Sequence, residues 1–374
     1  MPVSFYPTRC QVNLAAIKRN FQRLGAPGAL MPVIKSDAYG HGLLPVAGIL
    51  DEAGARSFAI GGASEGEELR NAGFGQRLLL LTGCRTPNDW ETAALYGLLP
   101  LVNDFKNLEM AAACPHNLEI AIKCDSGMGR LGFGKDDIPA IAEKIRNSSN
   151  LKPVMAVSHF ASSDMPEDAE YAAGQMAAFE DFARALAQIF PAIGRSLGNS
   201  AAALGLPDAA YDVLRPGLAI YGGNPFFGTS RENAGAGLEW AMSISTPILQ
   251  VKRLAKGQSV SYGRIFRALR DMDVAVVSCG YSQGLARGLS GRCDMLVRGR
   301  RVPQIGRICM SMCMLDVSSM PDAAPGELAW PLGGPAAAET SPVDAWELAM
   351  KLDTVPYELL CLMGSLNLRE YENN

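Results

Sequence analysis

Short apolar runs alternate with longer stretches rich in Ala, Leu, Glu and Lys through the first 220 residues. The apolar runs lie at 30–34, 57–60, 78–81, 98–102, 118–124, 153–157, 195–197 and 213–221, the last broken by Pro216 and Gly217. Between them the period lengthens. In 172–190, Met176, Phe179, Phe182, Leu186 and Ile189 recur at three- and four-residue steps, the pattern of an amphipathic helix. Eight β/α units of this kind predict an α/β fold, a closed parallel (β/α)8 TIM-like barrel. A doubly wound open sheet is the second choice.

The pattern changes after about residue 230. Residues 224–237 are rich in Gly and Asn and read as a boundary. Beyond them, segments rich in branched residues at 243–254, 258–262, 274–278, 294–297, 302–305 and 312–317 are punctuated by Gly, Pro and Asp. That is the signature of a mainly antiparallel β domain. Residues 338–352 predict one short helix and 325–335 a turn-rich loop. The expected division is a barrel over 11–234 and a β domain over 235–374, with residues 1–10 packing against the latter.

Composition narrows the function. The chain has 374 residues, 48 % apolar and 19 % charged, enough to bury the cores of two domains. A net charge of -4 without basic blocks disfavours nucleic acid and anionic membranes as partners. No apolar run reaches the length of a membrane span, and the N-terminal twenty residues lack the apolar core of a signal peptide. Nine scattered cysteines without a C-x-x-C pair disfavour a disulfide framework or zinc site, so a cytoplasmic location is expected. Only His41, His116 and His159 are present, and no metal is expected.

In a parallel barrel the working residues follow the strands. The run 30–34 ends in Lys35-Ser36-Asp37-Ala38-Tyr39-Gly40-His41-Gly42. A desolvated amine at a barrel mouth can form a Schiff base; the plainer alternative is a lysine that snorkels to the rim. Further along come Asp125–Gly132 with Arg130, then Ser158-His159-Phe160, Asn199-Ser200 and Arg215-Pro216-Gly217-Leu218. Each is weak alone. Together they aim Lys, Arg, His and Ser at one mouth, where Ser200 and the 217–218 amides could hold a phosphate.

These segments, in this order, resemble the alanine racemases. Val33–Gly42 is similar to that family's pyridoxal-phosphate attachment motif. The likeness continues through Ser261-Tyr262-Gly263-Arg264, Gly306-Arg307-Ile308-Cys309-Met310 and Pro356-Tyr357-Glu358, and spans about Val12 to Tyr371. The resemblance implies that Lys35 carries pyridoxal 5'-phosphate as an aldimine. Tyr39, Ser200, Gly217, Leu218 and Tyr357 are implied as phosphate ligands, with His159 and Asn199 also in the cofactor site. Arg130 is implied near the ring hydroxyl and the substrate carboxylate, and Arg215 opposite the pyridine nitrogen, which it would keep unprotonated. Lys123 matches a lysine that is often carbamylated. Tyr281 and Met310 match residues close to the substrate; Asp164, Arg287 and Arg307 match the lining of a narrow access channel.

The implied reaction interconverts L- and D-alanine by two bases on opposite faces, Lys35 and Tyr262, supplying D-alanine for the cell wall. A phenol is a weak base at neutral pH, so a hydrogen bond to His159, backed by Arg215, would favour its ionised form. In the family the residue matching Tyr262 comes from the partner of a homodimer, so shared active sites are implied. Two positions depart from the family pattern: Gln283 and Ser311 stand where Asp is common. A broader small amino-acid racemase, acting for example on serine, therefore stays open. A related barrel-type amino-acid decarboxylase and a non-catalytic cofactor carrier are the remaining readings.

Overall fold

The structure, a computed structural model, describes residues 7–335 and 341–373. Two compact units are built from the chain. The first is Ile17–Ala38 with Leu43–Glu239; the second comprises the described residues up to Ala16, Tyr39–Gly42, and Trp240 onward.

The first unit is built on six parallel strands in sequential order: Ser57–Ile60, Arg77–Leu80, Leu99–Val102, Leu118–Lys123, Leu151–Val157 and Gly194–Ser196. The first four are almost continuously buried, as expected when helices cover a parallel sheet. Two extended segments close the ring. Arg215 N donates to Gly198 O at 2.8 Å, Met31 N to Leu214 O at 2.7 Å, and Ile34 N to Ala59 O at 2.9 Å. These segments make only isolated bridges, because Pro32 and Pro216 lack the N–H that a regular ladder needs. The last apolar run, 213–221, thus contributes a bridge at Leu214 and then a 3₁₀ turn, Leu218–Tyr221.

Local signals set the helices between the strands. Thr86 caps Pro87–Leu95 reciprocally with Asp89, and Asp104 Oδ1 accepts from Asn107 N at 2.6 Å. Ala169–Ile189 buries Ala172, Gln175, Phe179, Phe182, Ala183 and Leu186 along one stripe, close to the helix that the spacing predicts.

The second unit is an antiparallel barrel. Met272–Val277, Cys313–Asp316, Arg300–Ile305, Asp294–Val297, Leu328–Leu332 and Met242–Leu254 pair in that order, and Met242–Leu254 pairs back with Met272–Val277. Arg9–Asn13 adds antiparallel to Met242–Leu254 and parallel to Leu368–Glu372. Leu328–Leu332 is a strand where the sequence reads as loop. Its turn signals, Pro325-Gly326 and Gly333-Gly334-Pro335, bound it rather than run through it. The short helix begins at Ala345, capped by Asp344 Oδ1 on Trp346 N at 2.6 Å; 338–340 of the expected span lie outside the described residues. A second helix, Pro356–Leu366, follows it.

That last helix meets the backbone of Gly40 directly. A Cβ on Gly364 would lie 2.0 Å from Gly40 O, and one on Gly40, whose φ is +81°, 2.5 Å from Leu360 O. Alanine is the better helix former, yet Gly364→Ala is expected to lower stability by about 2–3 kcal/mol, because backbone cannot yield as a side-chain tip can. Urea unfolding of the variant checks this; an unchanged midpoint would refute the close packing.

Candidate active site

Lys35 follows the strand-like run at 30–34 and opens a turn of unusual hand. Ser36, Asp37, Ala38 and Tyr39 all have φ of 53–55°. None is glycine, and left-handed helical backbone costs L-residues about 1–2 kcal/mol each. Hydrogen bonds hold the turn: Ser36 N donates to Glu65 Oε1 at 2.7 Å, Ala38 N to Ile34 O at 2.9 Å, and Leu43 N to Asp37 Oδ1 at 2.7 Å. Strain kept at one spot by surrounding bonds is characteristic of working sites.

Arg215 is buried within the first unit. Its guanidinium donates to Ser196 Oγ and to the carbonyls of Ser158 and Leu197. Burial pushes it down to about 10, so it stays cationic at neutral pH. His159 is held well below the ordinary histidine range, first by burial and then by the charges of Arg215, Lys123, Arg130 and Lys35. The imidazole is therefore neutral. Four of the expected site residues thus contribute to holding His159 neutral.

Lys123, at the end of Leu118–Lys123, is 6 % exposed, and its Nζ has no hydrogen-bond partner among the described residues. Burial, then Arg215, pushes it down to about 7. The unfolded chain would hold that proton up to 10.5, the ordinary lysine value. Above about 7 the unfolded chain thus binds the extra proton, and folding stability rises with pH between about 7 and 10.5; below that window the burial penalty is present in full. Lys123→Met is accordingly expected to be more stable than wild type, with a gap that is widest near pH 6 and narrows by about pH 9. Urea midpoints at the two pH values test this; a gap independent of pH would mean that Lys123 carries no titrating amine.

A second cluster lies at the start of helix Ser200–Gly205. Asn199 Oδ1 accepts from Ala202 N at 3.1 Å and from Ser163 Oγ at 3.0 Å. Ser200 Oγ accepts from Gly217 N at 2.9 Å and Ala219 N at 3.2 Å. The expected ligands Ser200 and Gly217 are thus joined, with Leu218 between the two amides. An anion there would take donors that Ser200 Oγ now occupies. Arg130 is exposed in its loop. Asp164 is partly buried, and burial raises its carboxyl.

The remaining candidates belong to the second unit. The rings of Tyr39 and Tyr357 pack 5.5 Å apart between centroids at a tilt of 41°, and burial raises the Tyr39 phenol, with Tyr357 adding to the effect. Tyr262 is 69 % exposed on a loop with strained neighbours: Ser261 has φ 64° and ψ 179°, and Arg264 has φ 51°. Ser261 Oγ pins this loop by donating to Arg307 O at 2.6 Å. The segments at 280–283 and 309–311 are zipped together. Tyr281 N donates to Cys309 O at 3.1 Å and Ser282 Oγ to Met310 O at 2.7 Å. The loop bearing Tyr262 and the segment bearing Tyr281 thus both border the 307–310 stretch, while Arg287 is exposed on its own short turn. Gln283 is buried; its Oε1 accepts from Gly280 N and from Ser282 Oγ, each at 3.0 Å, and Ser311 Oγ is 3.4 Å from Ser282 Oγ. Both departures from the family pattern thus sit in one neutral network.

Sequence reasoning passed over Ser196, which holds Arg215, and Glu65, which holds the turn after Lys35. Neither carries a local signal: one is a small residue at a strand end and the other an ordinary acid in a helix's first turn.

An amine at a strand end, a neutral histidine beside the buried Arg215, and a hydroxyl–amide cluster define a lysine-centred barrel enzyme. Residues 12–225 match the family model for the alanine racemase N-terminal domain, and 241–371 that for the C-terminal domain. An alanine racemase of Nitratidesulfovibrio vulgaris strain Miyazaki F is 45 % identical over 97 % of this chain and 98 % of its own length. That of Nitrosospira multiformis is 36 % identical over 96 % and 95 %. The crystal structure of the biosynthetic alanine racemase from Pseudomonas aeruginosa matches with a TM-score of 0.87 at 32 % identity, covering 98 % of this chain and all of that one. The alanine racemase from D-cycloserine-producing Streptomyces lavendulae gives 0.89 at 30 %, covering 99 % and 98 %. The chain belongs to the alanine racemase family and is an isomerase.

Proposed function

We propose that the protein interconverts L- and D-alanine, with pyridoxal 5'-phosphate held at Lys35 and with Lys35 and Tyr262 moving the α-proton on opposite faces. The observation that carries this reading is the buried Arg215 and the buried, unpartnered amine of Lys123 in the unit that also bears Lys35 and Arg130, all four of which help to hold His159 neutral. The cations Lys35, Arg130 and Arg215 fit a dianionic phosphorylated ring. Lys35 would hold the aldehyde, and Ser200 with the amides of Gly217 and Leu218, joined by Tyr39 and Tyr357, the phosphate. When bound, the cofactor supplies the electron sink that makes an α-proton removable.

The chain's own groups do the rest. Arg215 stays protonated and would offer the ring nitrogen a donor in place of an acid, which would leave that nitrogen unprotonated. Neutral His159 can accept a hydrogen bond from a phenol, which favours the Tyr262 oxygen as a base. Arg130 orients the substrate carboxylate. Lys123, an amine largely unprotonated above about pH 7, is poised to take up carbon dioxide as a carbamate, an anion to pair with Arg130. Asp164, Arg287 and Arg307 line substrate access, and Tyr281 and Met310 bound the substrate.

A homodimer with shared sites is part of this reading. Tyr262, Ile265, Tyr281, Met310 and Met312 are all exposed in the single chain, the kind of apolar surface that a second copy covers. Among the described residues no helix is long and apolar enough to cross a membrane. A cytoplasmic enzyme feeding D-alanine to cell-wall synthesis fits the reading. Serine is the favoured second substrate, because the hydroxyls of Ser282 and Ser311 lie in the network joining Tyr281 and Met310.

Chiral analysis of alanine and serine after incubation tests the assignment. Racemisation of alanine is expected at least about 10-fold faster than that of serine, within the range one added hydroxyl imposes on an apolar pocket. Release of carbon dioxide from either, or cofactor binding without α-proton exchange in heavy water, would overturn it.

A further inference from the structure

We infer that Glu65 is a positioning residue for the Lys35 amine. Its carboxylate is the clamp that keeps the left-handed turn behind Lys35 in place. The inference rests on the reading of Lys35 as the cofactor lysine and adds a residue outside the family motif.

Four left-handed residues without a glycine do not hold their shape unaided. The turn exposes its first amides, and a single side chain takes them: Glu65 Oε1 accepts from Ser36 N at 2.7 Å and Asp37 N at 3.3 Å. The other oxygen, Oε2, accepts from Gly61 N at 2.6 Å. Gly61 follows the strand Ser57–Ile60, and its carbonyl accepts from Thr82 Oγ1 at 2.7 Å beyond the next strand. The turn after Lys35 is thereby tied through one carboxylate to the ends of two neighbouring strands. Space is tight where the tie passes Lys35. A Cβ on Gly61 would lie 3.1 Å from Glu65 Oε2 and 3.6 Å from Lys35 Cβ. Glu65 thus fixes the backbone on which the amine stands without touching the reacting atoms. An acid in the first turn of Ala63–Asn71 would favour that helix in any case; what that role leaves unexplained is that Oε1 is spent on Ser36 and Asp37.

The test uses full-length Glu65→Ala, Glu65→Gln and Gly61→Ala. In Glu65→Ala, kcat is expected to fall about 10²-fold with KM little changed, as for a displaced reacting group. Amide hydrogen exchange at Ser36 and Asp37 should speed up at least about tenfold, while the helix Ala169–Ile189 keeps wild-type protection. Glu65→Gln should lie between, because its carboxamide can still accept from Ser36 but sets an N–H against that of Gly61. Gly61→Ala, which displaces the carboxylate without removing it, should shift both readouts the same way. Wild-type exchange at Ser36 and Asp37, or faster exchange with unchanged kcat, would overturn the inference. If Glu65→Ala does not fold, the other two variants decide by the same criteria. Full activity in Lys35→Ala would instead overturn the reading on which the inference stands.

Discussion

Lys35→Ala is expected to lower kcat/KM for alanine by at least about 10⁴-fold, the sum of losing a covalent anchor and an acid–base group. The fold should survive. Lys35 is only half-buried, and the turn behind it is held by the backbone of Ser36, Asp37 and Ala38 with the side chains of Asp37 and Glu65. The melting temperature should therefore move little. The measurement is conversion of each alanine enantiomer by chiral chromatography, with α-proton exchange in heavy water read alongside. The anchor and one base leave together, so exchange and racemisation should vanish together. Residual exchange above about a tenth of wild type would remove Lys35 from both roles.

Tyr262→Phe should behave differently, and the difference is diagnostic. One hydroxyl is lost from a ring that is 69 % exposed, so stability should change by no more than about 0.5 kcal/mol. Racemisation should fall about 10²- to 10⁴-fold, the usual worth of a positioned acid–base group. Lys35 would still serve its own face, so one enantiomer should keep exchanging its α-proton while hardly converting to the other. Equal loss of exchange from both enantiomers would sink the two-face assignment. Mixing Lys35→Ala with Tyr262→Phe chains then asks which chain supplies the phenol. If Tyr262 reaches the partner's site, half of a random mixture is heterodimer with one intact site of two, and about a quarter of wild-type activity returns. No recovery after verified subunit exchange would place both bases in one chain's site.

The neutral network at Gln283, Ser282 and Ser311 gives substrate choice a physical handle. The departures from the family pattern are visible in sequence as missing acids; their joint placement is not, because Gln283 and Ser311 lie 28 positions apart. In the structure, backbone hydrogen bonds between Tyr281 and Cys309 and between Ser282 and Met310 bring the two segments together. The same holds for Arg215. As a sequence element it is an ordinary arginine before Pro216-Gly217, and only the ring of strands sets it against Ser196 and Ser158.

Where an element is decided by its own periodicity, the sequence is a good guide. The helix read over 172–190 is observed as Ala169–Ile189, and the runs at 57–60 and 118–124 are observed as Ser57–Ile60 and Leu118–Lys123. Their burial patterns need no distant partner to be recognised. Leu328–Leu332 escapes for the opposite reason. With Pro331 inside it and glycines on both sides, it is a strand only because Met242–Leu254 and Asp294–Val297 flank it.

By itself, then, the sequence determined the switch from helix-bearing parallel units to antiparallel β, and the lysine, arginine, histidine and serine that follow the apolar runs. These are properties of local period and of residue type. Tertiary structure alone decided the left-handed turn after Lys35, the carboxylate that holds it, and the neutral state of His159 beside Arg215. Each depends on groups far apart in the chain: backbone hand yields to hydrogen bonds from a neighbouring segment, and protonation yields to burial and to charges that only folding brings close.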